Sequence, residues 1–385
     1  MTYRVIQWGT GSIGKTCLRQ VIDHPDLELV GLRVYSAGKD GKDAGEIARR
    51  PETGVLATRE VGQIIATDAD VVLHTPRIQA PLSYHDEDLV ALLESGKNVI
   101  TTVGHQYPAA HGQARAARFQ RACRAGGSTF FGTGVNPGFI VDRLVTAATG
   151  MCVQLDSASV RETVECSQMR EPGFVFDVMG MGRPPQALDL QSGPLATLYN
   201  DHFLEVLGAF ADRVGVRYDR VEPDHRVVTA PADLHVSAGV IPAGTVAATE
   251  WRWHGIVDGK RFFTLSINWI MDWNLPGYAE GPRDHWQIEI RGKPGIYLRM
   301  GLIEPDEPGV RTMAVQYAVA ATVIRAIPEV CAAPPGILSF PVFGAFSRRL
   351  DPALAGKPDP ALGGKPDPAL GGKPDPALAA REVSG

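Results

Sequence analysis

The most constraining feature of this sequence is a glycine turn that follows its first apolar stretch. Tyr3-Arg-Val-Ile-Gln-Trp8 leads directly into Gly9-Thr-Gly11-Ser-Ile-Gly14, and a helix-forming stretch, 15–22, comes next. In a strand–turn–helix unit of this kind, the first glycine permits the tight turn and the second lets the backbone approach a pyrophosphate. The third lets the helix pack on the strand, and the helix N-terminus holds the phosphates. The pattern therefore predicts a dinucleotide-binding domain, with Gly9, Thr10, Gly11, Ser12, Ile13 and Gly14 as its phosphate loop.

The segments after this turn alternate between strands and helices. Strands are predicted at 27–35, 70–75, 98–102 and 128–131, and helices at 86–95 and 109–125. This alternation is typical of a doubly wound parallel sheet, whose ligands bind beyond the carboxyl ends of the strands. We therefore expect an α/β fold with an N-terminal Rossmann domain over residues 1–150.

The pattern changes in the second half of the chain. Strands are predicted at 157–166 and over much of 226–300, with a hairpin at Asp258-Gly259, and a helix is predicted at 195–214. These elements indicate an α+β domain on an antiparallel sheet, at 151–308, that binds substrate and contributes to dimerisation. The apolar helix 312–327, ended by Pro328, is expected to pack back on the first domain as part of 309–350.

The last 35 residues have a different composition. Asp351-Pro-Ala-Leu-Ala-Gly-Lys-Pro358 recurs, with one change, at 359–366 and 367–374. Each copy has one large apolar residue, which is too little to offset the chain entropy lost on folding. We therefore expect residues 351–385 to be disordered, and their role and origin stay open.

Composition restricts the partners. A net charge of −5 gives no reason to expect nucleic acid as a partner, and no apolar run is long enough to span a membrane. The five scattered cysteines form no CxxC pair, which indicates free thiols in the cytoplasm and no metal site.

The turn after the second predicted strand indicates which dinucleotide is preferred. An enzyme that prefers NAD usually has Asp or Glu about 20 residues past the glycines. This chain has Arg33, Ser36 and Lys39 there, and no carboxylate between Gly31 and Lys39. A cation and a hydroxyl suit the 2′-phosphate, so we expect NADPH to be preferred over NADH.

Other candidate residues lie at strand ends. Thr75 and Pro76 are expected to face the cofactor, and His105 and Tyr107 are the candidate proton donors beside the nicotinamide. Asn136 and Pro137 are expected to bind the cofactor, and the Asn136 amide is a third catalytic candidate. An apolar substrate wall is predicted from three further residues: Phe139, Met169 and Phe174.

Three segments together resemble a known superfamily. Trp8-Gly-Thr-Gly-Ser-Ile-Gly14, the loop 38–46 and Gly132-Thr-Gly-Val-Asn-Pro-Gly-Phe139 are similar to the dihydrodipicolinate reductase-like proteins, in particular to 2,4-diaminopentanoate dehydrogenases and related amine dehydrogenases. The resemblance implies NAD(P)H at the glycine turn, the segment around Asn136 beside the nicotinamide, and a homodimer. Two departures stand out: the sequence has no His-His pair, and the loop 101–108 lacks the glutamate with which the amine-forming relatives handle ammonia.

We therefore expect an NADPH-dependent oxidoreductase that reduces a small ketone, aldehyde or imine. One alternative is an amine dehydrogenase in which another residue replaces the missing glutamate. The other is a non-catalytic dinucleotide-binding regulator or scaffold that uses its repeat tail to engage a partner.

Overall fold

The structure, a computed structural model, describes residues 2–190, 192–278, 285–307, 312–339 and 342–348. The repeat tail predicted at 351–385 lies outside these residues. Among the described residues, seven strands pair in parallel to form the first sheet: β1 (Tyr3–Trp8), β2 (Leu27–Arg33), β3 (Ala57–Thr58), β4 (Val71–His74), β5 (Asn98–Thr101), β6 (Thr129–Gly132) and β16 (Gly336–Ile337). Their order is β16-β6-β5-β4-β1-β2-β3.

Helices cover both faces of this sheet. They are α1 (Ser12–Asp23), α2 (Ala44–Ala48), α3 (Val61–Ala66), α4 (Asp86–Glu94) and α5 (Gln113–Gly126). Helix α1 turns Cys17, Leu18 and Val21 into the core, and α5 ends where Gly127 adopts a left-handed conformation. The strand order reverses between β1 and β4, which is where a doubly wound sheet opens a crevice for ligands.

Beyond the short α6 (Thr146–Thr149), the chain builds the second sheet. Its strands are β7 (Gln154–Glu165), β8 (Arg220–Pro223), β9 (Arg226–Thr229), β12 (Val246–Val257), β13 (Lys260–Ile270), β14 (His285–Lys293) and β15 (Ile296–Gly301). A separate hairpin joins β10 (Leu234–Val236) to β11 (Gly239–Ile241). The hairpin predicted at Asp258-Gly259 joins β12 to β13.

The second sheet is mixed rather than purely antiparallel. Strand β7 lies between β14, to which it is antiparallel, and β13, to which it is parallel. Helix α7 (Pro194–Val214) packs Phe203, Leu207 and Phe210 against one face of this sheet, where Trp251 and Trp253 are buried. The architecture is thus α/β, with a Rossmann domain and a second domain built on a sheet and a long helix.

The chain returns to the first domain near its end. Helices α8 (Ala314–Ile324) and α9 (Ile327–Ala332) bury Ala320, Val323 and Ile327 in the same core as β1, β4 and β5. Pro328 does not simply stop a helix, because it lies in the first turn of α9, where its missing N–H costs nothing. The segment Ala314–Ala332 is the one stretch of the described chain long and apolar enough to cross a membrane, contrary to the sequence expectation. In the structure, Ala320, Val323 and Ile327 of this segment are buried in the core of the first domain.

Candidate active site

The glycine turn has the geometry that its three glycines predict. Gly9 has φ +94°, and a side chain there would lie 2.9 Å from the Thr75 carbonyl oxygen. A side chain at Gly14 would lie 2.2 Å from the Gly9 carbonyl oxygen, so only glycine fits. Gly11 differs, because a Cβ atom there would meet nothing within 4 Å. The open space beside Gly11 is where a pyrophosphate could contact the start of α1.

Thr75, which follows β4, packs against this turn. It is buried, accepts a hydrogen bond of 2.8 Å from Gln7 Nε2, and donates one of 3.3 Å to the Trp8 carbonyl oxygen. Its role in the structure is to hold the turn in place. The next residue, Pro76, lines the cleft described below.

A lysine side chain contacts the glycine turn. Lys39 Nζ donates hydrogen bonds to the Thr10 carbonyl oxygen at 3.1 Å and to Thr10 Oγ1 at 2.9 Å. Burial and the nearby charge of Lys15 lower the pKa of Lys39. Ser36 is exposed just before it.

Arg33 takes a different position from Lys39. Its guanidinium lies 5.5 Å from the centre of the Trp8 ring and 4.8 Å from that of Tyr35, and it donates a hydrogen bond to the Val34 carbonyl oxygen. Its Nε is buried without a hydrogen-bond partner among the described residues. Arg33 is therefore packed into the wall behind the turn, where a ligand phosphate would have to draw it out.

A cleft of about 310 Å³ opens at the carboxyl ends of the first sheet. The first domain contributes residues that follow β4, β5 and β6, and the second contributes side chains from β7, β14 and α7. Its lining consists of Ile13, Pro76, Ile78, Thr102, Val103, Gly134, Val135, Asn136, Pro137, Glu162, His202, Trp286, Val315 and Val319. Most of these side chains are apolar, and the polar ones are those of Thr102, Asn136, Glu162 and His202.

The lining of this cleft includes a carboxylate that accepts hydrogen bonds from two neighbouring side chains. Asn136 Nδ2 donates to Glu162 Oε2 at 2.7 Å, and Trp286 Nε1 donates to the same oxygen at 2.5 Å. Asn136 lies in a non-helical turn, 136–138, that follows β6. The sequence-predicted residues Ile13, Pro76, Asn136 and Pro137 therefore meet here, where they are joined by Glu162 from the second sheet.

His105 does not face this cleft. Gly104 (φ +86°) and His105 (φ +68°) form a left-handed turn that carries the His105 ring beneath the loop, where it is fully buried. His105 Nε2 lies 2.8 Å from Asp86 Oδ1, and Arg115 donates to the same oxygen at 2.9 Å. These contacts make His105 part of a buried hydrogen-bonded cluster with Asp86 and Arg115, so the structure does not support its predicted role as proton donor.

Tyr107 is also directed away from the cleft. Its ring packs on α7 so closely that a side chain at Gly208 would lie 2.9 Å from Cδ1 of the ring. Burial and the neighbouring Asp212, to which its hydroxyl is hydrogen-bonded, raise the pKa of Tyr107 to about 12. The structure therefore does not support Tyr107 as a proton donor either.

The predicted apolar wall is not one surface. Phe139 is 38% exposed and contacts Arg143, and it is not among the residues that line the cleft. Met169 and Phe174 line a separate cavity of about 470 Å³, to which Arg77 of the first domain also contributes. Arg77 directly follows Pro76, so this second cavity adjoins the loop that borders the cleft. None of the three is placed against Glu162.

Sequence reasoning missed Glu162, His202 and Trp286. Each lies in an element whose type was predicted, but a single polar or aromatic residue in a strand or helix gives no sign of the face on which a ligand binds. A polar residue within an otherwise apolar face of β7 was the one available signal for Glu162. Within the described residues, no cluster of His, Cys, Asp and Glu could hold a metal ion.

Comparisons with known proteins agree with this architecture. The family model of the 2,4-diaminopentanoate dehydrogenase C-terminal domain matches residues 139–347. An amine dehydrogenase of Streptomyces virginiae is 26% identical over 361 residues, which are 89% of this chain and 97% of that protein. A 2,4-diaminopentanoate dehydrogenase of Acetoanaerobium sticklandii is 25% identical over 341 residues, which are 87% of this chain and 91% of that protein.

A solved structure shows the same fold. The amine dehydrogenase from Mycobacterium smegmatis superposes with a TM-score of 0.68 at 21% identity, covering 88% of this chain and 95% of that one. The relatives and the glycine turn together support an NAD(P)-dependent dehydrogenase rather than a non-catalytic scaffold. Since the family model covers more than half of the 385 residues, the chain belongs to the 2,4-diaminopentanoate dehydrogenase family and is an NAD(P)-dependent oxidoreductase.

Proposed function

We propose that this enzyme interconverts a small ketone and the corresponding amine, through an imine, with hydride exchanged with NADP(H). The observation that carries the proposal is the Glu162 carboxylate in the cleft, hydrogen-bonded to Asn136 and Trp286. A carboxylate there can bind an ammonium ion or a substrate ammonium group by charge-assisted hydrogen bonds. The names of the amine-forming relatives point to the same substrate class.

Glu162 accounts for the carboxylate that the loop after β5 lacks. That loop reads Thr101-Thr-Val-Gly-His105-Gln-Tyr-Pro108 and contains no acid, which on sequence grounds disfavoured ammonia as a substrate. Glu162 reaches the cleft from β7 of the second domain instead. The nicotinamide and the substrate must share a cleft of about 310 Å³, so the substrate is small. The part of the substrate that does not bind Glu162 contacts mainly apolar side chains.

The coenzyme chemistry requires little from the protein. A bound nicotinamide supplies or accepts the hydride, while the chain positions the substrate and handles a proton. Asn136 is held between the end of β6 and Glu162, so its amide can orient the carbonyl or imine group beside the coenzyme. Pro76, Ile13 and Val103 exclude water around it.

The turn after β2 favours NADPH. Lys39, with Lys15 close enough to lower its pKa, brings positive charge to the glycine turn, and Ser36 adds an exposed hydroxyl. A 2′-phosphate would bind these groups, and Arg33 could join them by leaving its place between Trp8 and Tyr35. Substituting Ser36→Asp should reverse the preference for NADPH over NADH, and Lys39→Ala should weaken NADPH binding more than NADH binding, as measured by fluorescence titration.

Oxidation of NADPH with a panel of small ketones, with and without ammonium, tests the main proposal. We expect oxidation that depends on ammonium, and NADP⁺ reduction with the matching amines. Glu162→Gln should lower kcat by about 100-fold, since an acid–base or charge-binding group is worth roughly 10²–10⁴, and should leave the Kd for NADPH unchanged. Glu289→Gln, which removes an exposed carboxylate of β14, is the matched control.

Two results would redirect the proposal. Oxidation of NADPH by ketones or aldehydes at the same rate without ammonium would identify a carbonyl reductase, the other reading of the sequence. Full ammonium-dependent activity in Glu162→Gln would show that Glu162 does not bind the amine.

We further propose a cytoplasmic homodimer in which the second domain supplies the contacts. The free thiols of the five cysteines suit a reducing compartment, and the dihydrodipicolinate reductase-like resemblance suggests the dimer. Light scattering of the full chain tests the dimer.

We divide the chain into 1–150, 151–308 and 309–350, a division supported by the packing of α8 and β16 on the first sheet.

A further inference from the structure

A line of buried ionisable side chains lies behind the cleft wall. His202 lines the cleft and is 7% exposed, and Glu205, one turn later on α7, is fully buried. The third member, His111, lies in the turn 108–111 before α5. The hydrogen bonds described above for Glu162 and for the glycine turn involve none of these three side chains.

Glu205 is a neighbour of each of the two histidines. His202 and Glu205 are three residues apart on α7 and so share one face of the helix. Glu205 Oε1 lies 3.4 Å from His111 Nε2, and Glu205 Oε2 accepts a hydrogen bond of 3.3 Å from the Tyr107 backbone N–H. The His111 side chain is 15% exposed. The line therefore runs from the cleft, through a buried carboxylate, to a residue that contacts solvent.

The electrostatics of this line suit transient protonation. Burial lowers the pKa of His202 to about 4, against the opposing effect of Glu205, so its ring is neutral at pH 7. Burial raises the pKa of Glu205, but His111, whose Nε2 lies 3.4 Å from Glu205 Oε1, and the neighbouring His105 and His202 bring that pKa below its usual value. The Nδ1 atom of His202 has no hydrogen-bond partner among the described residues. A neutral imidazole can accept a proton on one nitrogen and release one from the other.

The reaction requires a path for protons between solvent and the substrate. This requirement rests on the proposed function. A ketone, an ammonium ion, a hydride and one proton give an ammonium product and water. Reduction of the ketone to an alcohol likewise consumes one hydride and one proton. Each turnover therefore takes up one proton from solvent, and the reverse reaction releases one. Most side chains that line the cleft are apolar, so few of its groups could pass this proton to or from the substrate.

We propose that His202 exchanges this proton with the substrate, and that Glu205 and His111 connect His202 to solvent. His202 is then a catalytic residue, while Glu205 and His111 act through it. The sequence analysis predicted a proton donor in the loop 105–107. In this proposal the proton donor is instead His202 of α7, which packs against that loop. A side chain at Gly104 would lie 3.4 Å from His202 Nδ1, so that loop forms part of the histidine's surroundings.

Steady-state kinetics of the full chain test the catalytic part. His202→Gln should lower kcat by about 100-fold, leave the Kd for NADPH unchanged, and recover activity with added imidazole. Glu205→Gln should lower kcat less and reduce the rate most where solvent protons are scarce, at alkaline pH. The control is His225→Gln, because His225 is a histidine of the second domain whose pKa is also lowered to about 4. Equal losses in His202→Gln and His225→Gln, or no imidazole rescue, would overturn the proposal.

Nuclear magnetic resonance of the coenzyme-free protein gives a readout without turnover. In Glu205→Gln, the titration of His202 should move to lower pH, because Glu205 raises its pKa, and that of His225 should not move. An unchanged His202 titration would refute the connection to Glu205. If the wild-type chain oxidises no NADPH in any assay, the proposed substrate chemistry fails, and this measurement still decides whether the three side chains are coupled.

Discussion

Gly11 offers a substitution that separates coenzyme binding from folding. The backbone at Gly11 has φ −70° and ψ −165°, which alanine adopts readily, and a Cβ atom there would meet nothing within 4 Å. Gly11→Ala should therefore change the free energy of unfolding by no more than about 0.5 kcal/mol. The added methyl group occupies the open space in front of the helix N-terminus, where the pyrophosphate has to approach the backbone.

The loss in binding follows from the hydrogen bonds that the methyl group prevents. A hydrogen bond to a charged phosphate oxygen is worth about 1.5–3 kcal/mol. Losing one such bond raises the Kd for NADPH roughly 10- to 150-fold. Fluorescence titration of the reduced coenzyme measures this change, and thermal melting measures stability on the same sample.

Gly14→Ala and Gly62→Ala complete the comparison. At Gly14 the new Cβ would lie 2.2 Å from the Gly9 carbonyl oxygen, a backbone atom that cannot move aside, so we expect a loss of about 3 kcal/mol of stability. Gly62 lies exposed on α3 with open space around it, and its substitution should affect neither property. Wild-type NADPH affinity in Gly11→Ala, or a melting temperature as low as that of Gly14→Ala, would refute the reasoning.

Three further predictions concern the buried residues around the cleft. Asp86→Asn should cost about 3–5 kcal/mol, because it leaves Arg115 and His105 without their buried partner; a change below about 1 kcal/mol in urea denaturation would contradict this. His202 becomes protonated near pH 6.5 in the unfolded chain but only near pH 4 in the folded protein, so the free energy of unfolding should fall as the pH drops through this range, by about 2 kcal/mol at pH 5. His202→Gln should remove this contribution to the pH dependence of stability. An unchanged pH dependence in the variant would contradict a buried neutral His202 ring. Gly104→Ala should destabilise the protein by about 1–3 kcal/mol, because its φ of +86° disfavours a side chain; a melting temperature equal to that of the wild type would argue against the left-handed turn.

Local chemistry made much of the fold predictable. The glycine turn and the Asp258-Gly259 hairpin each depend on residues within a few positions of one another, and both occur as predicted. The alternating strands and helices of the first domain are likewise set by apolar periodicity within each segment. The parallel pairing of β7 with β13 joins residues about a hundred positions apart, such as Thr163 and Asn268, and no local pattern specifies it.

The site was harder to predict because two conformational details decide it. The end of β5 was located correctly, but the left-handed backbone at Gly104 and His105 reverses the direction of the loop and buries the histidine. A positive φ at a non-glycine residue cannot be read from residue type, because histidine adopts it only occasionally. Glu162 depends on partners from β14 and from the turn after β6, and their meeting is a property of the assembled domains.

The packing of α8, α9 and β16 on the first sheet has a consequence for synthesis. During translation, the Rossmann half leaves the ribosome first, yet the strand that forms its edge beside β6 lies near residue 337. Until that strand and the preceding helices emerge, β6 has an unpaired edge and the apolar surface of α1 and β4 is uncovered. The nascent chain must therefore wait for almost all of the second domain before its first domain is complete, which makes this interval the one in which a chaperone would be needed.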